Sequence, residues 1–434
     1  MEQYTISDKV KRFVFILIGI GVLAMAADII ISLVSGGGAE HAEHAEGGHG
    51  HHAGWGQRVW ANMLINGFFY FGIAIAAVFF MAVQYAAHAG WSVVFKRLFE
   101  AVGSYLPIGA IMLFVVFLAG TFDLHHLYHW MDSSVYEMYL YTDGMTGEEF
   151  REGAVMNPSY DTIIVGKKAY LNKPFFWIRA IVFVGVYIFF ANRFRKRSLE
   201  EDISGGTNIF RKNVVDAAIF LVFFGFTSMV FSWDWIMSID THWFSTLFGW
   251  YVFSGMWAGA MIVVTLLTIH LKNMGLLKAV NDSHIHDLGK WMFATSFLWS
   301  YLFFCQFLLI WYSNIPEEVT YYQVRFEDYK YIIWPTFFIN FIFPMLLLMS
   351  RDTKRNSAFL TLVGLIIFAG HWVDTYLLVT PGTMKAEGQL GFFEVGMALV
   401  YLGIFIYMIL RSLSKAPVMV KNHPYLEESV HHSI

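Results

Sequence analysis

The sequence predicts an all-α polytopic membrane protein of about ten transmembrane helices, arranged as two four-helix bundles plus two peripheral helices. Three observations predict it: a shortage of charge, a series of long apolar runs, and a one-sided distribution of lysine and arginine. Charged residues are only 14% of the 434, against 57% hydrophobic; a soluble domain carries roughly 25% charged residues. The net charge of −4 gives no electrostatic ground for a nucleic-acid partner.

A span needs about 20 mainly apolar residues. Ten stretches qualify, at about 13–34, 59–86, 98–119, 174–192, 213–237, 243–271, 288–312, 329–350, 357–379 and 389–410. A membrane barrel would instead show short alternating segments. The first run lacks a small-residue cleavage site and is followed by further spans, so it reads as a retained helix.

One set of loops holds most of the basic residues, among them RFRKR at 193–197 and RDTKR at 351–355. The positive-inside rule places this set, and with it both termini, on the cytoplasmic side of an inner membrane. The opposite loops are a Gly-, Ala- and His-rich segment at 35–58, a long acidic and aromatic segment at 120–173, and a segment at 313–328 containing NIPEEVTYY.

A weak internal repeat relates spans two to five to spans six to nine. The fifth and ninth spans both carry a Trp/Asp pair near the far face, in SWDWIMS at 232–238 and HWVDTYLLVTP at 371–381. This divides the chain into an N-terminal helix and His-rich loop (1–58), a first bundle (59–240), a second bundle (241–380), and a C-terminal helix and tail (381–434).

An ionisable group inside a span costs roughly 2.5–3.5 kcal/mol on insertion scales, so it normally faces the interior and marks a pathway. The candidates near the far face are Asp123, His125, His126, His129, Arg179, Asp234, His242, His371 and Asp374; those near the cytoplasmic face include Asp216 and His270. His371 and Asp374, three apart, share a helix face. Histidine and carboxylate groups can hydrogen-bond a quinone or carry its protons, and Trp233, Trp235 and Trp372 beside them supply apolar walls. Residue types alone leave quinone contact and proton path both open. Arg179 could also be an ion-pair partner of Asp234 or Asp374, and His125, His126 and His129 could be interfacial side chains.

Redox centres are not expected in this chain. One cysteine, Cys305, excludes an internal disulfide and an iron–sulfur cluster held by this chain alone, and C-x-x-C-H is missing. His371, the one histidine well inside a span, has no histidine at matching depth to complete a haem site. The run HAEHAEGGHGHH at 41–52 has a metal-binding composition, but its low complexity reads as a solvated loop, and no metal site is assigned.

Four runs, NKPFFWIRA (172–180), SWDWIMSIDTHWFSTLFGWYVFSG (232–255), QFLLIWYSNIPEE (306–318) and HWVDTYLLVTP (371–381), resemble the polysulfide-reductase (NrfD-like) membrane subunits. The chain is most similar to the shorter of the paired ten-helix subunits of alternative complex III, a bacterial quinol:cytochrome c oxidoreductase. The resemblance implies a quinone-type fold without a redox cofactor of its own, in contact with menaquinone or ubiquinone, with a proton pathway, or with both. It implies as partners a homologous ten-helix quinol-site subunit, an iron–sulfur subunit and multihaem c-type cytochromes, which would hold the clusters and haems. The competing expectation is a proton-coupled secondary transporter, which also uses repeated bundles and buried carboxylates.

Overall fold

The structure is a computed structural model describing residues 3–34, 55–140 and 155–433. Ten helices are long and apolar enough to cross a membrane: α1 (Asp8–Val34), α2 (Trp55–Ala86), α3 (Val93–Thr121), α4 (Lys173–Ser204), α5 (Asn208–Ile239), α6 (Phe248–Asn273), α7 (Asp282–Ser313), α8 (Lys330–Leu347), α9 (Ser357–Glu387) and α10 (Phe392–Leu413). α1 begins and α10 ends at the same end of the molecule, where Gln3 bridges Pro417; this is called the basic end and the opposite end the loop end.

Side-chain caps set several starts. Asn172 accepts from the Phe175 amide ahead of α4, Asn281 from the His284 amide ahead of α7, and Asn356 from the Phe359 amide ahead of α9, each satisfying an N–H that a helix start leaves free. α4 runs about three turns, through RFRKRSLEEDIS, beyond the apolar stretch, because those residues are good helix formers and are tied down: Arg197 pairs with Asp216 of α5 at 2.5 Å and Lys96 of α3 with Glu201 at 2.8 Å.

α2 packs on α3 and α5, and α4 on α3 and α5; α6 packs on α7 and α9, and α8 on α7 and α9. The two groups of four meet where α2 and α5 lie against α6 and α2 against α9, so α2 is enclosed almost throughout. α1 packs mainly on α10. A Cβ at Gly21 would stand 2.5 Å from the Gly396 carbonyl oxygen, so the two backbones touch as only glycines permit. At the loop end Arg58 of α2 holds both: its guanidinium bonds Glu394 of α10 twice at 2.7 Å and Asp28 of α1 at 2.9 Å.

One expectation changes, and one span departs from regular geometry. The segment 313–328 is no plain loop: Pro316–Glu327 is a helix, with Pro316 at its first turn followed by Glu317 and Glu318. α8 is irregular, with Pro335 inside it and a π turn at Phe338–Ile342 where the ladder is interrupted. The described part of the 120–173 segment holds a two-residue antiparallel pairing of Tyr139–Leu140 with Val155–Met156 and a helix, Thr162–Lys167. The histidine run 41–52 lies outside the described residues.

Candidate functional site

Asp374 sits in the middle of the second bundle, on α9, where α6 and α7 converge on it. The Trp299 indole N–H donates to its Oδ2 at 2.9 Å, and the Tyr251 hydroxyl donates to Oδ1. Both donors are neutral, and among the described residues no cation lies within ion-pair distance of this carboxylate. The nearest cation of its surroundings, Arg325, comes from the helix Pro316–Glu327. It spends its donors on backbone carbonyls, Tyr321 at 2.8 Å and Leu377 at 3.1 Å, and lays its guanidinium 3.4 Å from the Tyr321 ring centroid. Asp374, Arg325, Tyr251, Trp299, Tyr321 and Tyr322 line a cavity of about 20 Å³. That admits a single water and is far below the roughly 300 Å³ at which small-molecule sites begin.

His371, one turn before Asp374, is 2% exposed, and neither ring nitrogen has a partner. The Trp299 ring stands edge-on to it, at 5.6 Å and 85°. Two further buried side chains without partners are near on the flanking helices: Ser296 on α7 and Asn340 in the π turn of α8. Buried polar atoms normally find a partner in protein or ordered water; His371, Ser296 and Asn340 lie on the basic-end side of Asp374 without a protein partner. At the foot of α7, Asp287 pairs with Lys290 at 2.5 Å and with His432 of the tail at 2.6 Å. It lies twelve residues, about 18 Å, from Trp299 along the helix.

The first bundle is built differently. Arg179 of α4 holds Asp234 of α5 in a two-pronged pair, at 2.6 and 3.1 Å, with the Tyr170 and Phe175 rings 4.0 and 4.2 Å from the guanidinium carbon. Asp234 is thus a neutralised carboxylate with its donors fixed. Beside it, at the loop end, Trp233, Met237, Ser238, Tyr170, Trp243 and Lys167 line an open groove of about 400 Å³. Partial burial holds the Lys167 ammonium below its ordinary pKa.

The other sequence candidates sit apart from Asp374. His125 is buried, with one ring nitrogen on the Val116 carbonyl at 2.9 Å and the other accepting from the Leu127 amide; burial pushes its pKa down. His126 and His129 lie 2.9 and 3.9 Å from Asp132, and Asp123 lies 3.3 Å from Lys173, all at the loop-end surface. His242 is exposed and 2.5 Å from Asp161. Burial works against the Asp161 charge, but the Ile164 amide and His242 together hold its carboxyl below the usual range. Asp216 is clamped by Arg193 and Arg197, and His270 is exposed at the foot of α6.

Sequence reasoning missed Tyr251, Trp299, Arg325 and Asp287. Arg325 and Asp287 had a detectable signal: each is a charged residue within a turn of an apolar run, and both are 5% exposed. Among the described residues no group of three or more His, Cys, Asp or Glu is placed to hold a metal.

Ten spans around a buried carboxylate define the chain as an all-α polytopic membrane protein. No family model matches the chain, and no curated protein matches it.

Proposed function

We propose that this chain is the non-redox integral subunit of a bacterial quinol:cytochrome c oxidoreductase of the alternative complex III type, and that its second bundle carries protons. The four sequence runs given above support the assignment to that complex. The observation that carries the proton role is the setting of Asp374: a buried carboxyl satisfied by Tyr251 and Trp299 alone, against a one-water cavity and the unpartnered imidazole of His371. Asp374 has only neutral donors, whereas the Asp234 carboxylate is committed to an arginine fork.

In this reading the basic end faces the cytoplasm of the inner membrane. Protons pass between Asp287 at that face and Asp374, by way of water at Ser296 and His371. Electrons from quinol travel in the iron–sulfur and multihaem partners, and the homologous ten-helix subunit holds the main quinol site. The groove beside Trp233 is large enough for a quinone ring, whereas the cavity at Asp374 is not. The test is Asp374→Asn in the assembled complex, with protons released counted per electron passed. Fewer protons per electron with electron transfer retained supports the reading; an unchanged ratio removes it.

One observation favours a second reading, a proton-coupled secondary transporter. α8 is broken by Pro335 and the π turn next to the helix that carries Asp374, and interrupted helices at buried carboxylates are a transporter trait. Haem absorbance co-purifying with the tagged chain supports the respiratory complex. A colourless chain that moves a solute in proteoliposomes supports the transporter.

A further inference from the structure

A second cavity, of about 530 Å³, lies away from Asp374, between the α1–α10 pair and the α6–α9 face of the second bundle. It exists because α1 leans on α10 and stands off from the other helices. Apart from Lys9 and His270, every residue that lines it is apolar. The lining residues advance in step on three helices, Lys9 to Leu17 on α1, His270 to Val263 on α6, and Leu410 to Leu402 on α10. The cavity is therefore a slot parallel to the helices. Eight residues of helix make it about 12 Å deep, close to the roughly 15 Å that one leaflet contributes to a bilayer core.

The charge at its mouth is net positive. Lys11 pairs with Asp8 at 3.2 Å, and Lys272 with Asp282 at 3.0 Å. Lys9, on the slot, and Arg12, one turn further along α1, have no acidic partner among the described residues. A deep apolar slot with net positive charge at its rim complements one amphiphile: an acyl chain joined to an anionic head.

We propose that the slot is a binding site for an anionic glycerophospholipid of the leaflet at the basic end. An acyl chain lies between Phe13, Phe368 and Leu402, and the phosphate lies at Lys9 and Arg12. The site is independent of the proton role proposed for Asp374.

The experiment is native mass spectrometry of the detergent-purified protein with its natural companions, after exposure to vesicles of equal phosphatidylglycerol and phosphatidylcholine. The wild-type chain is expected to retain one phosphatidylglycerol in preference to phosphatidylcholine. Lys9→Gln, at an exposed helix end, should lower that preference about fivefold, the weight of one lysine at an anionic surface. Leu402→Trp, which narrows the inner part of the slot, should lower retention of either lipid while the thermal unfolding midpoint holds. Equal retention of the two lipids, retention unchanged in Lys9→Gln, or a neutral quinone as the retained molecule would each overturn the proposal. If Leu402→Trp fails to fold, the Lys9→Gln comparison decides alone.

Discussion

Trp299 donates its indole N–H to Asp374 at 2.9 Å, and the same ring stands edge-on to His371. One aromatic side chain on α7 thereby touches both His371 and Asp374 of α9. Trp299→Phe keeps most of the ring and removes the donor. It should destabilise the protein by about 1–3 kcal/mol, the cost of a buried polar group left short of a partner. Thermal unfolding in detergent measures it. Tyr251→Phe removes the other donor, and the double variant should depart from additivity, because both act on one carboxylate. Simple additivity would show that the two donors do not share Asp374.

Asp234 and Asp374 occupy corresponding places in the two bundles, but only Asp234 has an arginine partner. Asp234→Ala strands Arg179 inside the protein and should cost about 3–5 kcal/mol, as breaking a buried pair does. Replacing both, Arg179→Met with Asp234→Leu, should restore most of that stability. Proton release per electron should then stay near wild type in the double variant. A large loss of proton release in a stable double variant would transfer the proton role to the first bundle.

The spans are legible because a run of roughly twenty apolar residues with few charges is costly to expose to water and long enough to cross a bilayer core. Asp234, His371, Asp374 and Arg179 stand out because charge in such a run is costly. Their partners do not stand out. Tyr251 and Trp299 lie among other aromatic residues, and nothing in a sequence separates a donor aimed at a carboxylate from a ring that only packs. Arg325, Asp287 and Arg58 lie near span ends, where charge is cheap, and only folding shows that each is drawn inward. The helix Pro316–Glu327 is readable in principle, since proline followed by two glutamates is a helix-start pattern; its polarity masks it.

The C-terminal tail should make stability depend on pH through His423. Burial against Tyr85 and Phe210, together with the nearby Lys96 charge, pushes its pKa from 6.5 down to about 3. Above pH 6.5 the imidazole is neutral folded and unfolded, and contributes no slope. As pH falls from 6.5 toward 3, the unfolded chain takes up a proton that the folded chain does not, so stability is lost across that window. The loss approaches about 1 kcal/mol per pH unit from this one group. His423→Phe should flatten the fall in unfolding midpoint between about pH 6 and pH 4 relative to wild type. Parallel curves would mean that the tail is already released in that range.

Arg58 offers the sharpest test of how the peripheral pair is held. Its guanidinium is the only group that bonds both Asp28 and Glu394 among the described residues, and Glu394 is 1% exposed. Asn62 also donates to Glu394 at 3.1 Å, so removing Arg58 leaves that carboxylate with one neutral side-chain donor and the amide of Gly391. Arg58→Met should therefore weaken the loop-end attachment of α1 and α10 by about 3–5 kcal/mol, while the close approach of Gly403 to Ile18, further toward the basic end, persists. A cysteine pair at Leu17 and Leu402, on helices that face one slot, reports the separation by cross-linking after Cys305→Ser removes the native thiol. Cross-linking of this pair should persist in the Arg58→Met background, whereas a second pair at Met25 and Phe392, nearer the loop end, should lose efficiency. Adding Glu394→Gln removes the unpaired charge and should recover part of the stability. Equal loss at both ends would mean that the glycine contact cannot hold the pair without Arg58, and recovery by Glu394→Gln would then be absent.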